Sequence, residues 1–352
     1  IRVLRGIRQA AAFGFQIDKS TREWMKQAAP LLGRASVERQ RDELFKILDG
    51  PKPDASIRAL EMLGVLPHFL PELTALKGVE QSAPHIHDVW SHTLAVLQSL
   101  EDILSALAVG YSADSTNDLY TGLLTLRIGR YREQITRHFD TPLNTDRSVH
   151  GLLFLAALYH DVRKPQTRTV EESGRVRFFD HDEQGAQVAA ERALAFHLSN
   201  DEVNRLRVVI KNHMRFHFHT SRMEGEGKSP SRRSIYRFFR ESGPAGVELV
   251  LLGLADLRGT QGPNLKQESW TAALDVARIL LENYFEKPEE TIAPPRLVDG
   301  HDLMSALDLK PGPVVGDVLE AIREAQATGK VSTREEALAF GKAWLEEQHN
   351  SS

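Results

Sequence analysis

Apolar residues recur at helical spacing along almost the whole chain. In the opening segment, Ile1, Leu4 and Ile7 fall on one face of a helix, with arginines between them. Only residues 167–179, with Gly174 at a turn, favour strands. The pattern therefore predicts an all-α protein with at most one minor hairpin. Helices are predicted over residues 24–29, 37–48, 56–63, 119–139, 152–159, 182–198, 201–213, 245–258 and 268–284, with another ending near 107 and three short ones within 297–347.

Turn-forming residues divide these helices into three predicted domains. Gly14 ends the first helix, and Asp18 or Ser20 can cap the next one. Polar segments at 110–117 and 221–233 are predicted loops, and residues 288–295 are a predicted linker. We expect a helical region at 1–80, a larger helical domain at 81–285 and a small helical tail at 286–352.

Composition excludes several classes of protein. The 352 residues are 26% charged and 41% hydrophobic, which is typical of an ordinary globular chain. Because the sequence contains no cysteine, disulfides, thiolate metal sites and cysteine nucleophiles are excluded. No basic-then-apolar leader opens the sequence, and no apolar run approaches the roughly 20 residues of a membrane span. We therefore predict a cytoplasmic protein.

The net charge of -4 conceals a segregation of charge along the chain. Residues 1–52 hold 11 Lys and Arg against 6 acidic residues, and residues 205–240 hold 10 against 2. From residue 296 onward the balance is 6 against 10. Such segregation can build a basic surface that binds nucleic acid on an acidic protein. For either basic segment alone, a solvated helix face is an equally good interpretation.

One stretch joins strong burial to polar chemistry. The apolar run 152–159 predicts a buried helix, and His160 and Asp161 follow it directly. Because a buried charge must be paired or bind a metal, an adjacent imidazole and carboxylate indicate a divalent cation. Lys164 lies about one helical turn further on, where its ammonium can meet a phosphate oxygen.

Four more candidates complete a ligand set at or near predicted helix ends. His92 and Asp256 would join the His160–Asp161 pair around one ion. His181 and His213 would hold a second ion about 3.5–4 Å away, bridged by the same aspartate, which is the spacing used for in-line displacement at phosphorus. Imidazole and carboxylate ligands suit Mn, Fe, Co, Ni, Mg or Zn, and the lack of thiolate argues against a structural zinc site.

The other histidines have simpler interpretations. A lone histidine in a helix is more often exposed, or hydrogen-bonded in a core, than bound to a metal. Those close in sequence to a candidate are treated as neighbours, and they are His85, His87, His217 and His219. The rest are assigned to surface or core, and they are His68, His138, His150, His197, His301 and His349.

The order H…HD…H…H…D resembles the HD phosphohydrolase superfamily, whose members use H…HD…D for one metal and two further histidines for a second. The resemblance implies one or two divalent ions, with Asp161 and Lys164 as catalytic residues. Two positions depart from the common pattern. Arg163 stands where Gly is usual and could crowd or charge the mouth of the site, and Asp182 follows His181 where relatives often have Glu.

A wider resemblance covers almost the whole chain. Residues 2–15 and 36–44 resemble the neck and body of bacterial tRNA nucleotidyltransferases and poly(A) polymerases, and residues 300–304 and 311–316 resemble their tail. It implies a neck and body at 1–80 that bind RNA and nucleotide, an HD domain at 81–285, and a nucleotidyltransferase head that precedes this chain and is absent from it. Arg2 matches the arginine of the base-reading neck motif. The residues expected to bind nucleotide or RNA are Arg2, Arg5, Arg8, Arg39 and Arg41.

Three functions remain open from the sequence. The first is a metal-dependent phosphodiesterase or phosphatase on phosphate esters of nucleotides or RNA ends, within a protein of tRNA 3′-end processing. The second is a non-catalytic module that grips tRNA for a nucleotidyltransferase head. The third is a helical scaffold with incidental histidines. Some of the arginines expected to bind RNA can instead pair with Glu38, Asp42 or Glu43 along their own helix.

Overall fold

The described residues are mostly helical, as the pattern predicts. The structure, a computed structural model, describes residues 1–112, 118–144 and 147–350. The predicted polar loop at 110–117 therefore lies mostly outside the described residues. Two compact units are present, one made of residues 1–227 and 244–277, the other of residues 228–243 and 278–352. The predicted domain boundaries at 80 and 285 stay predictions.

The first unit opens with short helices that bury one face each. Leu4 and Ile7 are buried where α1 lies against α3 and α4. Gly14 ends α1 with φ 67, a left-handed conformation that glycine adopts without strain. Asp18 caps α2 by accepting hydrogen bonds from two backbone N–H groups. The helices are α1 (Arg2–Phe13), α2 (Lys19–Ala28), α3 (Val37–Leu48), α4 (Pro53–Met62) and α5 (Leu66–Phe69), with 3-10 turns at Ala29–Arg34 and Pro71–Leu76.

The rest of the first unit is a bundle around two closely packed helices, α6 and α15. Close approach is possible because Gly259 faces Val96: a Cβ at this glycine would lie 2.8 Å from Val96 Cγ2 and 3.1 Å from its backbone N. The helices are α6 (Val89–Ala106), α7 (Leu119–Ile128), α8 (Arg132–Phe139), α9 (Val149–Tyr159), α10 (Lys164–Thr167), α11 (His181–Ala195), α12 (Asn200–Asn212), α13 (Met214–Glu226), α15 (Gly246–Gln261) and the first part of α16 (Gln267–Phe285).

Two short antiparallel strand pairs accompany the bundle. The pair β3 (Arg168–Val170) and β4 (Val176–Phe178) is the predicted hairpin, with Gly174 at φ 80 in its turn. A second pair, β1 (Pro142–Asn144) and β2 (Arg147–Ser148), was not expected, so the limit of one hairpin is wrong. Strands this short carry too few residues to show alternation in the sequence.

Two predicted boundaries were also wrong. The predicted helix 119–139 is broken by a 3-10 turn at Gly129–Tyr131. The predicted basic loop at 221–233 is helical as far as Glu226, where Gly227 ends α13 with φ 62. Polar composition misled the prediction there, since an exposed helix face is also rich in charged residues.

The second unit joins the tail to an arginine-rich helix. Its helices surround a small apolar core that includes Val298, Leu303 and Val318. Arg237 and Arg233 both pair with Glu324, so part of the basic segment is neutralised by the acidic tail. Within residues 1–112, 118–144 and 147–350, no helix is both long and apolar enough to cross a membrane. The helices are α14 (Arg232–Ser242), α17 (Pro288–Thr291), α18 (Gly300–Leu307), α19 (Pro313–Ala327) and α20 (Arg334–Asn350), with the end of α16.

Candidate metal centre

The apolar helix α9 ends at the first candidate ligands. All of its residues except His150 are buried, so it runs through the core of the first unit. His160 is its C-terminal cap, and a tight turn follows in which Lys164 N donates to Asp161 O. His160 and Asp161 are 0% and 1% exposed. Burial of the helix therefore carries an imidazole and a carboxylate into the interior together.

One oxygen of Asp161 faces the first group of side chains. Asp161 Oδ2 lies 3.2 Å from His160 Nε2 and 3.4 Å from His92 Nε2, in the first turn of α6. The two imidazole Nε2 atoms are 3.3 Å apart. Asp256, on α15, places Oδ1 3.1 Å from His92 Nε2. The contacts of α6 with α15 and with α9 thus bring these four candidate ligands together.

The other oxygen of Asp161 faces the second group. His181 is the first residue of α11, and its Nε2 lies 3.5 Å from Asp161 Oδ1. His213 caps the end of α12, and its Nε2 lies 3.9 Å from the same oxygen. Potential ligand atoms lie within 4.8 Å of one another in each of two groups that share Asp161. The structure therefore brings together all six candidates, while their role as ligands stays a prediction.

Three imidazoles are held in one orientation by backbone carbonyls. The Nδ1 atoms of His160, His181 and His213 each lie 2.7 Å from the carbonyl oxygen three residues earlier. A carbonyl only accepts, so each Nδ1 donates to it, and in the neutral imidazole Nε2 keeps its lone pair. This fixes the tautomer that a metal ligand requires.

Charge and burial favour, at two of the candidates, the protonation state that a metal ligand needs. Burial lowers the pKa of His213 to about 3, and the neighbouring histidines act in the same direction. Burial alone would raise the pKa of Asp161, but His160 and Lys164 hold it well below its usual range. Both a neutral imidazole and an ionised carboxylate can bind a cation.

Unsatisfied polar atoms test whether a cation fits. In the part of the chain that the structure describes, His181 Nε2, His213 Nε2 and Asp161 Oδ1 are buried without a hydrogen-bond partner, and Asp161 Oδ2 has Lys164 Nζ at 2.7 Å. Leaving such groups unpaired is costly. Donor atoms that share one cation at about 2.1 Å lie about 3–4 Å apart, which agrees with the separations above. The cluster is therefore compatible with divalent metal binding.

Lys164 joins the cluster to an open cavity. Its Nζ lies 2.7 Å from Asp161 Oδ2 and 2.8 Å from Gln81 Oε1, although the side chain is buried. A cavity of about 480 Å³ reaches from this point to solvent, within the usual size of a small-molecule site. Asp161, His181 and Asp256 also line it. A small ligand can thus reach the candidate ligands from one side.

Three known families match separate parts of the chain. The HD domain family matches residues 89–256, which hold all six candidate ligands. The family of the RNA and SrmB-binding site of polymerase A matches residues 14–77. A tRNA nucleotidyltransferase domain 2 family matches residues 295–340.

Two curated relatives decide the family. The chain is 31% identical to the CC-adding tRNA nucleotidyltransferase of Thermus thermophilus over 98% of its own length and 66% of the relative's. It is also 31% identical to the A-adding tRNA nucleotidyltransferase of Deinococcus radiodurans, over 100% of this chain and 69% of that one. The chain belongs to the tRNA nucleotidyltransferase family. It spans about two thirds of the length of these relatives.

A solved structure of a CCA-adding enzyme with CTP matches this tRNA nucleotidyltransferase family member less closely. It is 18% identical, with a TM-score of 0.49, and the match covers 98% of this chain and 60% of the other. The predicted absence of a head stays a prediction.

The predicted RNA-binding arginines of this family member have unequal surroundings. Arg5 and Arg8 both pair with Glu43, each at 2.9 Å, so the pairing runs from α1 to α3. Arg41 bonds to Asp42 and to the carbonyl oxygens of 196 and 197. Arg2 and Arg39 are exposed and have no ion pair among the described residues. Only these last two are available to a ligand without breaking a contact.

Two histidines treated as neighbours belong to the site of this tRNA nucleotidyltransferase family member. His217 Nε2 lies 2.7 Å from Asp256 Oδ2, and His85 packs edge-on against His92. The spacing of four residues from His213 could have indicated His217. His85 lies in a proline-containing loop, where no periodicity points to it.

Arg163 does not charge the mouth of this cavity. It lines a separate cavity of about 370 Å³ with Glu72 and Arg192. The departure from the common HD pattern is therefore accommodated on the other side of the turn.

Proposed function

We propose that the HD domain of this chain is a metal-dependent phosphohydrolase that cleaves phosphate esters of nucleotides or RNA ends. The observation that carries the proposal is the position of Asp161, which turns one oxygen toward each of two histidine groups. A carboxylate shared between two such groups suits a pair of divalent cations, the arrangement used for displacement at phosphorus. The cavity beside it supplies room for an ester.

The chain's residues would hold the ions and place the substrate. When bound, divalent cations supply Lewis acidity toward a phosphate oxygen and lower the pKa of water. Asp161 would serve both positions, and the carbonyl-bound Nδ1 atoms would keep the imidazoles aimed inward. The proposed ligands are His92, His160, Asp161 and Asp256 for one ion, and Asp161, His181 and His213 for the other.

Lys164 would contact the phosphate. Its ammonium has three donors, of which Gln81 and Asp161 take two, and its side chain lines the cavity. The third donor can therefore reach a phosphate oxygen as negative charge develops on it. Water adds to phosphorus, the ester P–O bond breaks, and the departing alkoxide takes up a proton. Asp161 and Lys164 are thus the proposed catalytic residues.

The test combines metal analysis with an assay. Purified protein should contain divalent metal, and it should hydrolyse a chromogenic phosphodiester with Mn, Ni, Co, Fe or Mg. His160→Ala should lose both properties. His150→Ala should keep them, because His150 lies on the same helix but pairs with Asp49 away from the cluster. A metal-free wild type with no turnover under any of these ions would refute the hydrolase.

We also propose that the chain binds tRNA and acts in tRNA 3′-end processing within a nucleotidyltransferase. The match of residues 14–77 to an RNA-binding family and the exposed Arg2 and Arg39 support this second function. The names of the relatives support CC or A addition as the activity of the whole protein. A gel shift with tRNA at low salt tests binding, and no shift would contradict it.

A further inference from the structure

The β3–β4 hairpin forms a fixed wall of the cavity beside the cluster. Val176 N donates a 2.7 Å hydrogen bond to Ser82 Oγ, which ties β4 to the loop before α6. At the end of β4, Phe178 O accepts from His181 Nδ1 at 2.7 Å. The backbone of β4 is thus joined directly to a candidate ligand and lies beside the cluster.

Arg175, at the turn of this hairpin, is a cation without a partner. It is exposed and lines the cavity, and within the described ranges it makes no ion pair. The other cations of the cavity are already engaged, since Arg177 pairs with Glu171 at 2.9 Å and Lys164 with Asp161 at 2.7 Å. Arg175 is therefore available to a negatively charged ligand.

Apolar surface adjoins the same opening. Phe179 directly follows β4 and is 58% exposed, and Met214, at the start of α13, is 43% exposed. Both line the cavity. An aromatic ring beside a phosphate-binding centre is the usual platform for a nucleobase, and methionine adapts its shape to flat ligands.

We infer that Phe179, Met214 and Arg175 form a subsite that selects esters carrying a nucleobase next to the reacting phosphate. Phe179 stacks on the base with Met214 beside it, and Arg175 pairs with a phosphate oxygen. The inference rests on the proposed phosphohydrolase and narrows its substrates. A cavity of about 480 Å³ accepts a single nucleotide, either free or at the end of an RNA strand.

The first test compares two esters that differ in the base. Adenosine 2′,3′-cyclic phosphate carries a nucleobase and glycerol 1,2-cyclic phosphate does not. Phe179→Ala should raise KM for the adenosine ester about tenfold, in line with the stacking contribution of one base, and leave KM for the glycerol ester unchanged. Phe179→Trp should restore the wild-type value. Phe218→Ala is the matched control, because Phe218 is 60% exposed but does not line the cavity.

The second test addresses Arg175. Arg175→Ala should raise KM for both esters, since both carry the phosphate. Arg168→Ala should change neither, because Arg168 lies exposed on the same hairpin outside the cavity. Equilibrium binding of adenosine 3′-monophosphate gives a readout without turnover: Phe179→Ala should weaken it about tenfold, and Phe218→Ala should not.

The outcomes separate this inference from the proposed function. If wild type hydrolyses neither ester, the hydrolase fails, whereas a binding defect of Phe179→Ala alone still supports the subsite. If Phe179→Ala leaves binding and KM unchanged, or affects both esters equally, the subsite is wrong. A third substrate, an RNA ending in a 2′,3′-cyclic phosphate, shows whether the base belongs to a free nucleotide or to the end of an RNA strand. A KM that depends on Phe179 with either substrate supports the subsite.

Discussion

Two buried carboxylates lie among histidine and basic side chains in the same helical bundle. Only one of them is closed, in the sense that both of its oxygens have a partner. Glu248, near the start of α15, is 1% exposed, and its carboxylate is fully used by His138 at 2.7 Å and by Arg205. Asp161 is also 1% exposed, and its Oδ2 lies 2.7 Å from Lys164 Nζ, but among the described residues its Oδ1 has no hydrogen-bond partner. The same fold thus satisfies both oxygens of one buried carboxylate and leaves one oxygen of another open.

The difference separates a structural network from a ligand site. A buried charge without hydrogen bonds destabilises a protein, so folds usually close such groups with an arginine, as at Glu248. At Asp161 Oδ1 the facing imidazoles of His181 and His213 have Nδ1 bonded to a backbone carbonyl, so in their neutral form Nε2 offers a lone pair instead of a proton. An added cation would satisfy the carboxylate and the imidazoles together.

The largest effect is expected from removal of the Asp161 carboxylate. Asp161→Asn should lower hydrolysis by about 10³-fold or more, because the shared ligand of both ions is lost. Bound metal, measured by elemental analysis, should fall with the activity. Mn at 100 times its Kd should stabilise wild type by about 2.7 kcal/mol and so raise its Tm. The Tm of the variant should not change.

The metal-free proteins supply the control for this substitution. Without added metal, Asp161→Asn should lose less stability than Glu248→Gln, because Lys164 keeps its hydrogen bond to Gln81 and lines an open cavity. A large loss of stability without metal would show that Asp161 is a structural residue, and the comparison with Glu248 would then fail.

The closed group should respond in the opposite way. Glu248→Gln leaves the half-buried Arg205 beside a neutral side chain, and we expect a loss of about 3 kcal/mol in the free energy of unfolding, measured with urea. Metal content and kcat per folded molecule should stay at wild-type values. Loss of metal in this variant would mean that the two groups are not independent.

The sequence predicted the cluster better than the parts that frame it. His160 and Asp161 could be recognised because they directly follow the apolar run of α9, which contains no polar partner for them. The order H…HD…H…H…D then indicated the other candidates. His217 and His85 could not be assigned to the cluster from the sequence, since their positions depend on how α13 and the loop before α6 pack near α15.

Pairing of charges was the harder problem. The arginines of residues 205–240 suggested a basic surface, but Arg233 and Arg237 pair with Glu324 of α19, about 90 residues away. Arg5 and Arg8 likewise meet Glu43 on another helix. Local charge counts do not contain such long-range pairs, which form only when the helices pack.

A second closed pair sharpens the comparison through pH. Burial tends to raise the pKa of Glu202, but hydrogen bonds from the Arg147 guanidinium, at 2.9 Å, and from Ser199 N outweigh it and lower the pKa. The folded pKa therefore lies below the unfolded value of about 4.3. Glu202 stabilises the fold above that pH, and this stabilisation is lost as the pH falls through the folded pKa.

Glu202→Gln should therefore lower the stability by about 2 kcal/mol at neutral pH and have less effect at low pH. Thermal unfolding from pH 7 to pH 3 measures both. An equal loss at every pH would show that the charge of Glu202 contributes nothing.

The smallest effect is expected where an arginine is exposed instead of paired. Arg39→Ala should weaken tRNA binding a few-fold and reduce the slope of log K against log salt by about 1, because one phosphate contact is lost. Arg8→Ala should instead lower stability, by about 1 kcal/mol, because Arg8 pairs with the buried Glu43. Filter binding at several salt concentrations measures the tRNA affinity and the salt slope of both variants. If Arg8→Ala changes the salt slope as much as Arg39→Ala, Arg8 must leave Glu43 when RNA binds, and a pair that is closed in the free protein can open for a ligand.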